Sequence, residues 1–156
     1  DVLLVDKEAD LALQASGRND GEVHPGIDLG KGSLKHKYIR RANHMYADVC
    51  RELDVPFKQV GQYVLFRNAA LKPLIGLYAF WRKHHDGIED TEIISGKELM
   101  RREPNLTPET KFAMYNPSAG CVCPYGLTIA YAENAVQNGA QVSLNTAVLS
   151  MEVSDI

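Results

Sequence analysis

The sequence predicts an α/β fold that carries an α+β insertion, and three observations support this class. The chain opens on an apolar run that ends in an acid, which is typical of a buried strand in an α/β sheet. Helix-like and strand-like segments then alternate without a regular βα repeat between residues 33 and 122. A last helix-like segment leads back to strand-like sequence after residue 139. Two layers, each visited twice by the chain, explain this order better than a single doubly wound sheet does.

The first predicted strand, residues 2–5, ends at Asp6. An acid at the carboxyl edge of such a strand is how a dinucleotide-binding fold presents a carboxylate to a ribose hydroxyl. The glycine-rich turn of such a unit lies about 20 residues before the acid, and the sequence holds no residues there. We therefore expect the chain to start inside a larger fold. A short apolar run before an acid also occurs in ordinary strands, so both interpretations stay open.

A long loop is predicted over residues 7–31, because this segment is rich in Gly, Ser, Asn, Asp and His and lacks helical periodicity. Its glycines permit a positive φ and a close approach of the backbone to a large ligand. Small polar groups and an arginine could bind a phosphate-bearing ligand. The residues concerned are Ser16, Gly17, Arg18, Asn19, Gly21 and Gly26. The alternative is that Gly, Ser and Asn simply form turns.

An amphipathic helix is predicted to follow, with Ser33 as its N-cap and Val55-Pro56 as its end. Apolar residues recur at helical spacing in a stripe: Leu34, Tyr38, Ala42, Met45, Val49 and Leu53. Basic residues lie mostly off this stripe. They form either a solvated surface or a surface for an anionic ligand.

The later predicted elements alternate between helix and strand. In chain order they are a strand at 60–66, a helix at 70–85 with Leu71, Leu74, Tyr78 and Trp81 inward, a strand at 91–94, a short helix with the capping box Ser95/Glu98 that stops before Pro104, a strand at 111–115, a helix at 127–138 ended by Gly139, and β structure at 141–144 and 147–153.

Composition excludes several classes of function. A net charge of −3 gives no electrostatic reason to expect nucleic acid as a partner, and no apolar run is long enough to span a bilayer. Three cysteines cannot all pair within the chain, which favours a reducing, cytoplasmic compartment. Cys121 and Cys123 are separated by one residue rather than two, and no second pair accompanies them, so no metal site is predicted.

Several short motifs occur together in a fixed order along the chain. They are Val2–Lys7, Ser16–Asn19, Gly21–Gly26, Gly32–Lys35, Glu52–Pro56, Gly61–Val64, Arg102–Leu106, Pro117–Gly120, Pro124–Ala130, Ala132–Ala135, and Asn145-Thr146 with Val148. On these motifs the chain resembles the D-amino-acid-oxidase-like superfamily of FAD-dependent oxidoreductases. The resemblance lies in the branch that contains FAD-dependent glycerol-3-phosphate dehydrogenases and L-2-hydroxyglutarate dehydrogenases.

The resemblance implies part of an FAD-binding Rossmann-like domain, with its first βα unit missing, plus a substrate-domain cap. Residues 1–54 and 122–156 would belong to the FAD-binding domain and residues 55–121 to the cap. The implied cofactor contacts are Asp6 and Lys7 at the adenosine ribose, Ser16, Arg18 and Asn19 along the pyrophosphate and flavin, Gly21 beside the isoalloxazine ring, and the backbone of Val148 at the adenine. His24 falls where the family places a histidine near the flavin.

The function implied by the resemblance is removal of a hydride from a secondary alcohol carbon, with glycerol 3-phosphate as the first substrate and L-2-hydroxyglutarate as the alternative. His24 would be either the catalytic base or a residue that only hydrogen-bonds the cofactor or a carbonyl. A non-catalytic α+β binding module also stays open.

Without the glycine-rich turn, we expect the isolated chain neither to retain FAD nor to catalyse. The implied location is cytoplasmic, with peripheral association at the inner face of the membrane left open, and the oligomeric state is not predicted.

Overall fold

The computed structural model describes residues 1–86, 88 and 91–153. The chain folds into two compact units. Unit 1 comprises residues 1–21, 47–57 and 122–153, and unit 2 comprises residues 22–46 and 58–121 of the described chain. The chain therefore passes between the units at 21/22, 46/47, 57/58 and 121/122. Residues 22–46 lie in unit 2, together with the segment expected to form the cap.

The described residues form short strands and four α-helices. The strands are β1 Leu3–Val5, β2 Glu22–Val23, β3 Phe57–Lys58, β4 Gln62–Phe66, β5 Glu92–Ser95, β6 Phe112–Asn116, β7 Gly120–Val122 and β8 Gln141–Ser143. The helices are α1 Leu34–Glu52, α2 Lys72–Asp86, α3 Gly96–Arg102 and α4 Pro124–Gln137, with a 3₁₀ turn at Ala69–Leu71 before α2. The strand β2 interrupts the segment that was predicted to be one continuous loop.

Unit 1 is built on a parallel pair of strands, β1 and β8, in which Leu3 lies opposite Gln141 and Val5 opposite Ser143. Helix α4 contacts β8 and begins three residues before the predicted start. Cys123 caps it, because its Sγ accepts a hydrogen bond from the Gly126 N–H at 3.4 Å. The predicted strand at 147–153 is wrong, since these residues form no strand in the described chain.

Unit 2 contains the antiparallel sheet β4–β6–β5. One face carries a core of Ile27, Ala79, Ile88 and Met114, and the other carries Ile94, Leu99 and Ala113. Neighbouring strand residues such as Ala113 and Met114 belong to different cores, because successive residues of a strand point to opposite faces of the sheet. A second sheet has the order β2–β7–β3, in which Glu22 lies opposite Cys121 and Val23 opposite Gly120.

The inward faces of the two long helices differ from the prediction. In α2, Leu74 and Trp81 are exposed, while Ala79 and Arg82 are buried. Arg82 can be buried because its charge is compensated. It forms an ion pair with Asp86 and donates hydrogen bonds to backbone carbonyls. In the predicted apolar stripe of α1, Leu34, Tyr38 and Met45 are exposed and the other members are partly buried, while the buried residue of this helix is Cys50.

Candidate functional site

Asp6 lies at the carboxyl end of the parallel pair in unit 1. Its N–H donates to the Ser143 carbonyl at 3.0 Å, and its own carbonyl accepts from the Thr146 N–H at 2.8 Å. One carboxylate oxygen, Oδ1, accepts the Glu8 N–H at 3.0 Å. An ionised carboxylate offers about four acceptor positions, so the carboxylate of Asp6 keeps capacity for hydroxyl donors. Ligands of α/β folds bind at this edge of parallel strands.

Two other predicted residues belong to the segments joined at Asp6: Lys7 follows Asp6 directly, and Val148 follows Thr146, whose N–H donates to the Asp6 carbonyl. Lys7 is exposed, with its Nζ at 3.9 Å from the Glu8 carboxylate. Val148 is also exposed and follows the turn at Asn145-Thr146, whose Asn145 N–H donates to the Glu8 carbonyl at 2.9 Å. These bonds tie the segment after β8 to the segment after β1.

The loop before β2 is shaped by the side chain of Asn19. Its Nδ2 donates to the carbonyls of Ala15 at 3.0 Å and Ser16 at 2.9 Å, and its Oδ1 accepts the Gly21 N–H at 3.0 Å. The amide of Asn19 is therefore engaged in the turn itself. The side chains of Ser16 and Arg18 are exposed on the same loop.

Gly21 sits where no side chain fits. Its φ is +68°, and a Cβ placed there would lie 2.1 Å from the carbonyl oxygen of Val122. The Val122 N–H donates to the Gly21 carbonyl at 3.0 Å. The close neighbour of this glycine is therefore backbone of the same unit, which explains the residue type without a ligand.

His24 lies in unit 2, directly after β2. Val23 is buried, and residues two apart in extended backbone point to the same side, so Glu22 and His24 share the side opposite Val23. The Nδ1 of His24 is 3.4 Å from Oε1 of Glu22, and the imidazole is 40% exposed. One edge of the ring thus faces a carboxylate, while the ring remains accessible.

The backbone around His24 is held by polar side chains from two helices. Asn43 of α1 donates through Nδ2 to the His24 carbonyl at 3.2 Å and to the Ser118 carbonyl at 2.9 Å. Arg40 donates to the Pro25 carbonyl at 3.0 Å. Arg82 of α2 donates to the carbonyls of Gly26 at 2.8 Å and Leu29 at 2.6 Å. These bonds fix the chain for several residues after His24.

Arg82 is itself held in place by an ion pair buried within unit 2. Its Nε is 2.6 Å from Oδ2 of Asp86, and both side chains are almost fully buried. Tyr78 Oη donates to the Ile27 carbonyl at 2.5 Å and accepts from Arg82 at 3.1 Å. Sequence reasoning missed Glu22, Asn43 and Arg82. The spacing of four residues between Arg82 and Asp86 was a visible signal of pairing on a helix.

The chain matches the family of FAD dependent oxidoreductases, DAO, over residues 1–155. It belongs to this family. The resemblance predicted from the motifs is therefore confirmed, and FAD is the cofactor of the family.

Curated relatives agree with this family assignment. The chain is 36% identical over 155 residues to the glycerol 3-phosphate dehydrogenase of Caloramator mitchellensis, covering 99% of this chain and 32% of that protein. It is 29% identical over 154 residues to the L-2-hydroxyglutarate dehydrogenase of Indibacter alkaliphilus, covering 99% of this chain and 38% of that protein. The chain thus spans about a third of the length of these relatives.

Solved structures share the fold. The dithionite-reduced L-α-glycerophosphate oxidase from Mycoplasma pneumoniae with FAD bound gives a TM-score of 0.82 at 23% identity, over 95% of this chain and 39% of that chain. The glycine oxidase from Bacillus cereus gives a TM-score of 0.85 at 22% identity, over 99% of this chain and 43% of that chain. The predicted class, an α/β partial domain with an α+β insertion, is confirmed.

Proposed function

We propose that this chain supplies part of the FAD site and part of the substrate region of a flavoprotein dehydrogenase that oxidises a secondary alcohol. Glycerol 3-phosphate is the first substrate. The observation that carries this choice is the 36% identity to a glycerol 3-phosphate dehydrogenase over nearly the whole chain. L-2-hydroxyglutarate is the alternative, supported by the lower identity to L-2-hydroxyglutarate dehydrogenases.

The residues of unit 1 fit the cofactor's polar groups. The carboxylate of Asp6 has spare acceptor positions at the carboxyl edge of β1 and would bind the adenosine ribose, with Lys7 beside it. The exposed side chains of Ser16 and Arg18 suit the pyrophosphate, since a guanidinium pairs well with phosphate oxygens. Val148 is exposed, and its backbone would meet the adenine.

Asn19 and Gly21 would act differently from the other cofactor residues. Both shape the loop, Asn19 through its three hydrogen bonds and Gly21 through its positive φ. We propose that they present the loop to the pyrophosphate and flavin. Direct contact of either residue with the cofactor stays a prediction.

His24 would serve as the base. When bound, FAD supplies the acceptor for the hydride that leaves the alcohol carbon. The imidazole of His24 takes the hydroxyl proton. The alcohol thus loses a hydride from carbon and a proton from oxygen, and its carbon–oxygen bond becomes a carbonyl. The exposed ring on an anchored backbone supports this assignment, because general-base catalysis requires a positioned group that the substrate can reach.

The decisive experiment mixes the FAD-loaded full-length protein with each substrate without oxygen and follows the oxidised flavin spectrum. Faster reduction by glycerol 3-phosphate supports the proposal. Faster reduction by L-2-hydroxyglutarate supports the alternative. Bound flavin that neither substrate reduces overturns both, and a full-length protein that holds no flavin supports a non-catalytic binding module.

We also propose a cytoplasmic location, with peripheral contact at the inner face of the membrane. Free thiols at all three cysteines support a reducing compartment. In the described part of the chain, no helix is long and apolar enough to cross a membrane. Cell fractionation with a high-salt wash tests the location, and protein recovered only in a secreted fraction would contradict it.

A further inference from the structure

We infer that Glu22 is a positioning residue for His24. Its carboxylate selects the tautomer of the imidazole that carries a proton on Nδ1, and this leaves Nε2 as the atom that receives the proton of the substrate hydroxyl. The inference deepens the proposed function and rests on it. Nothing in the motifs that carry the family resemblance assigns a role to the side chain of Glu22.

The strand geometry brings the two side chains together. The pairing of Glu22 with Cys121 and of Val23 with Gly120 fixes the register of β2 on β7. Val23 is 3% exposed, so the alternate side chains must leave the core on the other side. A one-residue slip would bury both polar side chains and expose the valine, which makes this register strongly preferred.

The contact itself is specific for one ring nitrogen. The distance from Nδ1 of His24 to Oε1 of Glu22 is 3.4 Å. At this distance and orientation the two groups form an ion-pair contact rather than a hydrogen bond. A carboxylate presents only acceptor lone pairs, so a neutral imidazole whose Nδ1 faces it is favoured with its proton on Nδ1 rather than with a second lone pair there. The tautomer of a histidine is set by the bond that its other nitrogen makes. With Nδ1 protonated, Nε2 carries the lone pair that a base needs.

The backbone of His24 cannot easily turn away from this arrangement. Asn43 holds the His24 carbonyl at 3.2 Å and the Ser118 carbonyl at 2.9 Å through the same nitrogen. Pro25 follows immediately and is fully buried. Because both neighbours of His24 in the chain are buried, rotation about the side-chain bonds is its main freedom. The carboxylate of Glu22 restricts this rotation by attracting Nδ1–H.

Two variants separate the charge of Glu22 from its acceptor oxygen in the FAD-loaded full-length protein. Glu22→Leu removes both, whereas Glu22→Gln removes the charge and keeps an amide oxygen to face Nδ1–H. Glu109→Leu is the matched control, because Glu109 is an exposed glutamate of the same unit whose partner is Arg67. Each protein is prepared with ring-¹⁵N-labelled histidine, and the His24 signal is assigned by its loss in His24→Gln.

The first measurement is the tautomer of His24 from its ring nitrogen shifts, which does not depend on turnover. We expect the Nδ1–H form in the wild type and in Glu22→Gln, and a shift towards the Nε2–H form in Glu22→Leu. The second measurement is the rate constant of flavin reduction. It should fall about 10–100-fold in Glu22→Leu, as for carboxylates that orient histidines at metal sites. Substrate affinity should change by less than about twofold, because Glu22 touches the ring rather than the substrate.

An Nε2–H tautomer in the wild type overturns the inference, and so does a reduction rate in Glu22→Leu equal to that of Glu109→Leu. If Glu22→Leu does not fold, the tautomers of the wild type and of Glu22→Gln still decide. A wild-type protein that neither substrate reduces overturns the proposed function instead. The tautomer in wild type and variants then decides by itself whether Glu22 orients His24.

Discussion

The two units of this chain satisfy their apolar and polar groups to different degrees. Unit 2 covers both faces of its three-stranded sheet and engages backbone carbonyls through Asn43 and Arg82. Unit 1 has a two-stranded parallel sheet whose residues Leu3 and Leu4 are exposed, as are Val2 before it and Leu149 after β8. Parallel sheets are normally buried on both faces. The candidate base therefore lies in a unit whose main sheet is covered on both faces, whereas the candidate cofactor contacts lie in a unit whose parallel sheet is under-covered.

The largest expected effect concerns the chain by itself. Its cofactor contacts lie on the under-covered unit, and the remaining polar groups must offset the cost of ordering the loop around them. We expect the purified 156-residue chain to bind FAD weakly or not at all and to be catalytically silent. Flavin absorbance and titration with added FAD measure this. Stoichiometric flavin that copurifies with the chain would contradict the contrast between the units.

The next effect concerns the candidate base in unit 2. His24→Gln in the full-length protein should slow flavin reduction by about 10²–10⁴-fold while FAD stays bound, because general-base contributions are of that size. Rapid mixing with substrate measures the rate, and the flavin spectrum checks occupancy. A rate near that of the wild type would leave His24 with a structural role.

The next effect concerns the buried ion pair of unit 2. Arg82→Met leaves the Asp86 carboxylate buried without its main partner and should lower the free energy of unfolding by about 3–5 kcal/mol. The double variant with Asp86→Leu should recover part of the loss. It should not recover all of it, because the carbonyls of Gly26 and Leu29 still lack their donor.

Arg101→Met is the control for this prediction, since Arg101 pairs with Glu98 on the surface. Such exposed pairs contribute little to stability, because water and salt screen them. Denaturant unfolding of the full-length protein compares the variants. Equal losses for Arg82→Met and Arg101→Met would show that burial of the Arg82 pair does not matter.

A smaller effect is expected at the cofactor contact of unit 1. Asp6→Ala should weaken FAD binding by about 1.5–3 kcal/mol in the full-length protein, because it removes a charge-assisted hydrogen bond to a ribose hydroxyl. Asp48→Ala is a suitable control, since Asp48 is an exposed acid of α1. Unchanged FAD affinity in Asp6→Ala would remove this carboxylate from the site.

The smallest effect is a pH dependence on the surface of unit 2. Side-chain hydrogen bonds from Arg101 and Arg102 lower the pKa of Glu98 to about 2, from its ordinary value of 4.5. A carboxyl with a lowered folded-state pKa stabilises the fold above its ordinary pKa, and this contribution disappears as the pH falls towards about 2. Glu98→Gln should therefore be slightly less stable than the wild type near neutral pH, and the difference should vanish in strong acid. A thermal unfolding series over this range tests the sign.

Local signals in the sequence predicted the ends of helices well. Ser95 caps α3, with its Oγ accepting the Glu98 N–H at 3.3 Å, and Gly139 follows α4 with a φ of +93°. These motifs succeed because a cap depends on residues within one turn. The long helix predicted from residue 33 is also present as α1.

The inward faces of the helices and the arrangement of the candidate site could not be predicted locally, because they depend on residues that are distant in the chain. Arg82 is buried because carbonyls of residues 26 and 29 meet it, and no local pattern in α2 reveals them. Glu22 escaped attention because a two-residue strand is too short to show alternation, so its side was not defined. The roles of Asp6 and His24 came from the family resemblance, since a carboxylate and an imidazole alone do not specify a cofactor.

The parallel pair of unit 1 has a consequence for synthesis on the ribosome. Leu3 of β1 pairs with Gln141 of β8, so this pair cannot form until the residues between the two strands have been made. Chains grow at about 5–20 residues per second, so β1 is without β8 for seconds. Unpaired strand edges invite pairing with other chains. The delay between the synthesis of β1 and that of β8 is therefore an interval in which aggregation competes with folding.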